Sequence, residues 1–211
     1  LPELRQAREK IKLAASLWTD LPTEARQSSM MAPVAAYASR LPELTKRADQ
    51  LISFLDLLLP LVGHPSENRY LVILQNSDEL RPTGGFIGTI GYVRVQSADI
   101  KEMRFDDVYA IDNPVSTRWK DVPPGPMQQY LGVSAWFLRD RNWSPDFPTS
   151  AEDIMKTYLG ERAMASSGTV DRLDGVIAFT PEFFKDLFRF TGPINVDGRI
   201  FTADDFFDQL Q

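Results

Sequence analysis

The sequence predicts an α/β fold, a layered sandwich with a central mixed β-sheet, preceded by an N-terminal helical hairpin or three-helix segment. Three observations predict it. In the first third, apolar residues recur in steps of three and four, the pattern of helices that each bury one stripe. From residue 69 onward, short runs rich in aromatic and β-branched residues alternate with helix-start signals. The 211 residues also suffice for one well-packed domain with a helical appendage. The expected boundaries are a helical region over residues 1–63 and an α/β domain over residues 69–211.

The helical region rests on two stripes: Leu4, Ala7, Ile11, Ala14 and Trp18, and then Leu41, Leu44, Ala48, Leu51, Leu55, Leu58 and Val62. Pro2, Pro22 and Pro42 fall where helices begin, because a missing amide proton is harmless in a first turn, and Pro33 should kink or split the middle segment. Leu-Pro recurs at residues 1, 21 and 41, but the flanking residues diverge, so the recurrence reads as helix-start chemistry. Such helices offer a surface for oligomerisation. Mixed charge on their polar faces, without a basic stripe, argues against helices lying on a membrane.

Beyond the loop at residues 63–68, strands are expected over residues 70–74, 86–95 and 103–111. A proline-rich connection follows from 113 to 126. Thr149 or Ser150 should cap a helix running through Tyr158, with Glu152 and Asp153 favouring its dipole. Residues 174–179 read as a buried strand, and Thr180-Pro181-Glu182 as the start of a helix that ends at Gly192-Pro193. A strand resumes at 194–196, Asp197-Gly198 turns, and Thr202 should cap a last helix through Ala203, Phe206, Phe207 and Leu210. Because that helix meets the chain end, the domain is expected to continue beyond Gln211.

Composition narrows the functional classes. With 43% hydrophobic and 25% charged residues, the chain is an ordinary folded protein. A net charge of −6 gives no basic surface for nucleic acid. The absence of cysteine excludes disulfides, thiolate metal sites and a cysteine nucleophile. His64 is the sole histidine. It sits in a turn-like Gly-His-Pro-Ser loop and reads as a solvated loop residue, and no serine occupies a Gly-x-Ser-x-Gly elbow, so the sequence argues against classical serine-hydrolase chemistry. The longest apolar run, residues 51–63, contains Asp56 and Pro60 and falls short of the ~20 residues that cross a bilayer. The start on Leu-Pro-Glu-Leu, without Met, reads as an excised fragment whose export signal or anchor lies outside it.

The most specific local feature is Glu79-Leu80-Arg81-Pro82-Thr83-Gly84-Gly85-Phe86-Ile87-Gly88. Pro82 suits the second position of a turn, Gly84 falls at its fourth, and Arg81 is held on a stiff corner. Two readings stand side by side: a tight hairpin, or a seat for an anion in which the amides around Gly84 and Gly85 combine with a guanidinium fork. No Gly-Lys-Ser/Thr follows, and the glycines lead into a strand, so neither a P-loop nor a dinucleotide fingerprint is present. Gly85, Gly88 and Gly91 recur every third residue in a strand of period two. At least one should mark a bulge or a close approach to the main chain.

Asp106, Asp107 and Asp112 form either a solvated acidic loop or, through Asp106 and Asp107, a seat for Mg²⁺ completed by phosphate. Arg139-Asp140-Arg141-Asn142-Trp143-Ser144-Pro145-Asp146 reads as a ligand-contacting loop or as a self-neutralising cluster of ion pairs.

Residues 70–76 (YLVILQN), 79–88 (ELRPTGGFIG), 142–148 (NWSPDFP) and 174–178 (DGVIA) together resemble the bacterial family known as domain of unknown function 4012, from about residue 70 to the C-terminus. The resemblance implies a membrane-anchored protein, held by a segment outside this chain, with its domain extracytoplasmic and associated with the cell envelope. That family is more distantly similar to the LytR-CpsA-Psr ligases, which transfer a glycan phosphate from a polyprenyl pyrophosphate carrier with arginines, aspartates and Mg²⁺. On that analogy Arg81 would hold pyrophosphate, and Asp106 or Asp107 the metal. The ligases' Arg-Thr-Asp is Arg81-Pro82-Thr83 here, without the following Asp, and their later arginine-rich segment would lie past Gln211. The candidate catalytic residues are therefore Arg81, Asp106 and Asp107. The candidate ligand contacts are Gln75, Asn76, Thr83, Gly84, Gly85, Arg139, Arg141 and Asp146. The expected ligand is a polyprenyl-phosphate-linked glycan or another anionic envelope molecule. The alternative is a non-catalytic envelope scaffold or assembly module, in which Arg81 pairs with a carboxylate of the protein.

Overall fold

The computed structural model describes residues 1–165, 172–206 and 209. The chain divides into two units, Leu1–Ser66 and Glu67–Gln211. No described helix is long and apolar enough to cross a membrane.

The first unit holds α1 (Pro2–Asp20), α2 (Thr23–Arg26), α3 (Ala32–Ala38) and α4 (Leu41–Leu61). Pro2, Pro33 and Pro42 each lie in the first turn of a helix. The middle segment is split into α2, a 3₁₀ turn at Ser29–Met31 and α3, with Pro33 at the start of the last piece. Helices α1 and α4 pack together, and ion pairs from Arg5 to Asp56 (2.6 Å) and from Arg8 to Asp49 (3.5 Å) fix them as antiparallel. The buried apolar residues of this unit are Ala38 and Ile52.

The second unit is α/β. Strands β1 (Asn68–Asn76), β2 (Phe86–Gln96), β3 (Asp99–Asp107) and β4 (Gly175–Phe179) form one sheet in the order β3-β2-β1-β4. The β1–β4 pair is parallel and the other two are antiparallel, so the sheet is mixed, as expected. Leu71 and Ile73 of β1 and Ile87 and Ile90 of β2 point into a core closed by Val108 and Ile111 of α5 (Val108–Asp112), by Leu138, and by Ile154 and Tyr158 of α7 (Phe147–Ala165). Between these lies α6 (Gly125–Leu131), and after β4 come α8 (Pro181–Thr191) and a two-stranded ribbon, β5 (Ile194–Val196) with β6 (Arg199–Phe201).

Three elements differ from their expected bounds. Strand β3 starts at Asp99 because Ser97 and Ala98 both take positive φ, 50° and 65°, and make a two-residue hairpin turn of the kind usually built from Asn-Gly. It ends at Asp107, whose Oδ1 accepts the Tyr109 amide proton (2.8 Å) and so opens α5 where strand was expected. Helix α7 starts earlier than expected, since the capping residue is Asp146. Its Oδ2 accepts from the Thr149 amide at 3.1 Å, while Ser150 is buried and donates to Ser144 O. The expected last helix is a turn over Ala203–Phe206, in which Thr202 and Asp205 bond reciprocally, side chain to amide. Phe207 and Leu210 lie outside the described residues.

The glycines of the corner differ in what they tolerate. A Cβ on Gly85 would lie 2.2 Å from the carbonyl oxygen of Asn76, whereas one on Gly88 would meet nothing within 4 Å. Gly85 is therefore the place where the main chain approaches itself, and only hydrogen fits there. Gly85→Ala is expected to lower the stability of the full chain by about 3 kcal/mol or more, and Gly88→Ala to stay within about 0.5 kcal/mol of the parent, both read from urea midpoints.

Candidate functional site

Residues 79–86 form a closed corner after β1. The Gly84 amide donates to Arg81 O (3.0 Å) and the Phe86 amide to Glu79 O (2.9 Å), which makes residues 81–84 a β-turn with Pro82 second and Gly84 fourth. Two buried amides hold this turn from the interior. Gln75 Nε2 donates to Thr83 Oγ1 (2.7 Å), and Asn142 Nδ2 donates to the same oxygen (3.0 Å) and to Gly85 O (2.7 Å). Asn142 is fully buried and Gln75 nearly so.

The Arg81 guanidinium turns inward. Its side chain is 14% exposed, and Nη2 reaches Asp140 Oδ1 at 3.3 Å and Glu79 Oε1 at 3.9 Å. Nη1 donates to Leu80 O (3.1 Å), and the Phe86 ring lies beneath at 5.4 Å. Asp140 is itself buried. The positive corner is thus matched by an acid of the protein, drawn from a loop 59 residues later in the chain.

The Arg139–Asn142 segment is the hub of a wider polar network. Arg139 Nη1 donates to Asp112 Oδ2 (2.8 Å), and its guanidinium stacks on Phe137 and Tyr109. Arg141 stacks on Trp136 at 4.1 Å, pairs with Asp121 and donates to Trp136 O (2.7 Å). Of the two readings of this segment, the geometry matches the self-neutralising one, and Asp146 serves as the cap of α7. The Thr149 hydroxyl and amide hold the Asp146 carboxyl below its usual range.

Asp106, Asp107 and Asp112 do not come together. Asp106 and Asp107 are successive residues of an edge strand, so their side chains leave on opposite faces, and Asp107 is engaged by the Tyr109 amide. Asp112 lies in the core, 1% exposed. Among the described residues no three carboxylate or imidazole groups converge to hold a metal ion.

Instead the core holds an acid pair. Glu161 of α7 is fully buried; its Oε1 accepts from the Leu138 amide (3.2 Å), and the Asp112 carboxyl lies close enough for its charge to act on it. Two neighbouring carboxyls in a dry interior disfavour double ionisation. Burial first, then the Asp112 charge, pushes Glu161 up to about 9. Burial also raises Asp112, against the opposing pull of Glu161 and of Arg139. The sequence does hold a signal for this pair: Ile154, Thr157, Tyr158 and Glu161 share one helical stripe, and a carboxylate on a core stripe calls for a partner.

A cleft of about 460 Å³ opens next to the corner, lined among others by Gln75, Asn76, Thr89, Glu182 and Lys185. It lies past the C-terminal ends of the parallel strands β1 and β4, where open α/β sheets commonly take ligands. Gln75 and Asn76 are thereby brought to it, while Arg81, Thr83, Gly84, Gly85, Arg139 and Arg141 do not line it. Its own amide, with the hydroxyls of Thr180 and Ser77, holds Glu182 below the usual carboxylate range. A carboxylate of the chain therefore sits at the N-terminus of α8, the position an anion would favour.

An α/β domain with a self-paired arginine corner and a polar cleft at the strand ends is the class these features define. A model of the family described as "Protein of unknown function (DUF4012)" matches residues 66–211, and the chain belongs to that family. No curated protein and no solved structure matches it.

The acid pair makes stability depend on pH with a definite sign. Glu161 keeps its proton in the fold up to about pH 9 but releases it near pH ~4.3 once unfolded. Across that window the unfolded chain binds fewer protons, so stability is greatest below it and falls as pH rises, by about 1.4 kcal/mol per pH unit for one such group. Glu161→Gln keeps the acceptor for Leu138 and supplies a donor to Asp112. It should flatten the slope between about pH 5 and 9 and exceed the parent in stability at pH 8, read from denaturation at several pH values.

Proposed function

We propose that this chain is a non-catalytic assembly module of the bacterial cell envelope, working outside the cytoplasm and anchored by a segment outside residues 1–211. One observation carries this reading: the Arg81 guanidinium is paired with the buried Asp140 and with Glu79. A cation that must stabilise charge on a transferring phosphoryl group has to present its donors to that group. Here they are directed at the protein's own carboxylates, and Arg139 and Arg141 are engaged in the same way. The envelope setting rests on the family resemblance of the Arg81 corner and the segments around it.

The cleft beside the corner favours a second reading, that of a phosphorylated envelope glycolipid bound through its sugar. Amide, hydroxyl and carboxylate groups such as Asn76, Thr89 and Glu182 are suited to sugar hydroxyls, and Lys185 adds one cation. In a LytR-CpsA-Psr-like phosphotransferase version of this reading, Mg²⁺ would be held by a single aspartate together with the ligand's phosphates.

The stability of Arg81→Ala and the binding of a polyprenyl phosphate together separate the two. Under the assembly reading Arg81→Ala leaves Asp140 buried with only Arg139 nearby, at 3.6 Å, and should lower stability by about 2 kcal/mol in denaturant titrations. Polyprenyl phosphate in detergent micelles should bind neither the parent nor the variant. Binding of those micelles by the parent that is lost in Lys185→Ala, a change in the cleft, would overturn the reading.

A further inference from the structure

The first unit leaves its apolar surface largely outside. Its buried apolar residues are Ala38 and Ile52, while Leu44, Leu51, Phe54, Leu57 and Leu61 of α4 remain between 46% and 68% exposed. A helical unit of this size needs more burial than that to be stable. The exposed residues are not scattered. Leu44, Leu51 and the half-buried Leu58 recur every seven residues, and Arg47, Phe54 and Leu61 recur every seven in the alternate positions, with Leu57 flanking them, which is the 3-4 spacing of a seam that accepts another helix.

We propose that this stripe of α4 is the seam through which the chain pairs with a second copy of itself. The inference rests on the assembly reading above and names the partner. Three features select a second copy. The five exposed side chains keep on the order of 100 Å² each in contact with water, so two copies would bury ~1,000 Å² in total, the lower bound for a specific interface. The stripe is self-complementary, as a two-fold interface requires, because its one charge, Arg47, is paired with Glu43 one turn back on the same helix. From Gln50 to Leu61 the helix carries Asp56 and no lysine or arginine, so an anionic lipid surface would gain no attraction there.

The absence of cysteine makes the test direct. In the full chain, Phe54→Cys places one thiol near the middle of the seam, where it meets its counterpart in either a parallel or an antiparallel pair. Ser53→Cys points away from the seam on the same helix. Mild oxidation should give covalent dimers of the first and not of the second. Sedimentation equilibrium should show a reversible dimer for the parent, and association weakened by more than roughly tenfold for Leu51→Glu with Leu58→Glu. A parent that stays monomeric at tens of micromolar, or equal cross-linking of both cysteine variants, overturns the proposal. So does a monomer that associates with anionic vesicles. None of these outcomes alters the Arg81→Ala result, so loss of the partner is distinguishable from loss of the assembly reading.

Discussion

The corner after β1 depends on one fully buried amide. Asn142 donates to Thr83 Oγ1 and to Gly85 O, so the loop before α7 holds the turn that follows β1. The same short segment brings Asp140 under Arg81. Removing Asn142 would leave the Gly85 carbonyl with Gln75 alone, at 3.4 Å, and a weakly satisfied carbonyl in a dry interior is costly. The ion pair and the amide clamp thus act together: the clamp fixes the turn, and the fixed turn aims the guanidinium inward. Gly85 completes the arrangement, since any larger residue would separate the turn from Asn76.

The hub extends from there to the core. Arg139 ties the loop to Asp112 at the end of α5, the Asp112 charge acts on Glu161 of α7, and Glu161 accepts from the Leu138 amide. The corner, the loop, α5 and α7 are thus joined by charge and hydrogen bonds, in addition to the apolar contacts around Leu71 and Ile154. Buried polar groups are favourable only when every member is satisfied. Arginines 139 and 141 also stack on Phe137, Tyr109 and Trp136, which shields the charge without demanding another acceptor.

Much of the fold was legible in residues whose effects are local. Pro2, Pro33, Pro42 and Pro181 mark first turns because their chemistry acts within one turn of helix. Asp197-Gly198 marks the β5–β6 hairpin for the same reason. The boundary errors arose where two local signals competed. Ser97-Ala98 makes a turn without glycine or asparagine, the residues that usually announce it. Asp107 reads as strand by its neighbours but acts through its side chain as a cap. Asp146 lies one residue ahead of α7, and Thr149 and Ser150, though equally good cap types, fall inside the helix. The site was less legible because its decisive pairs are remote: Arg81 with Asp140, Asp112 with Glu161, Asn142 with Gly85. The sequence shows that Arg81 sits on a rigid corner, but it cannot show which way a guanidinium on that corner turns, because the acid that decides this arrives from another part of the chain.

The two units distribute polarity in opposite ways, and this bears on what each can do. At the corner and hub of the α/β unit, Asp112, Asp140, Arg141, Asn142 and Glu161 lie inside, so few charged groups there remain to recognise a ligand. In the helical unit the charges lie along the α1–α4 flank, while leucines and a phenylalanine face outward. Recognition by charge needs unmatched charge, and recognition by burial needs unburied apolar surface. Both units leave large apolar side chains exposed, and α4 carries a row of them at helical spacing. The apolar stripe on α4 is therefore the surface that the proposed self-association uses, and the cleft at the ends of β1 and β4, lined by Asn76, Thr89 and Lys185, is a place where the α/β unit offers polar groups.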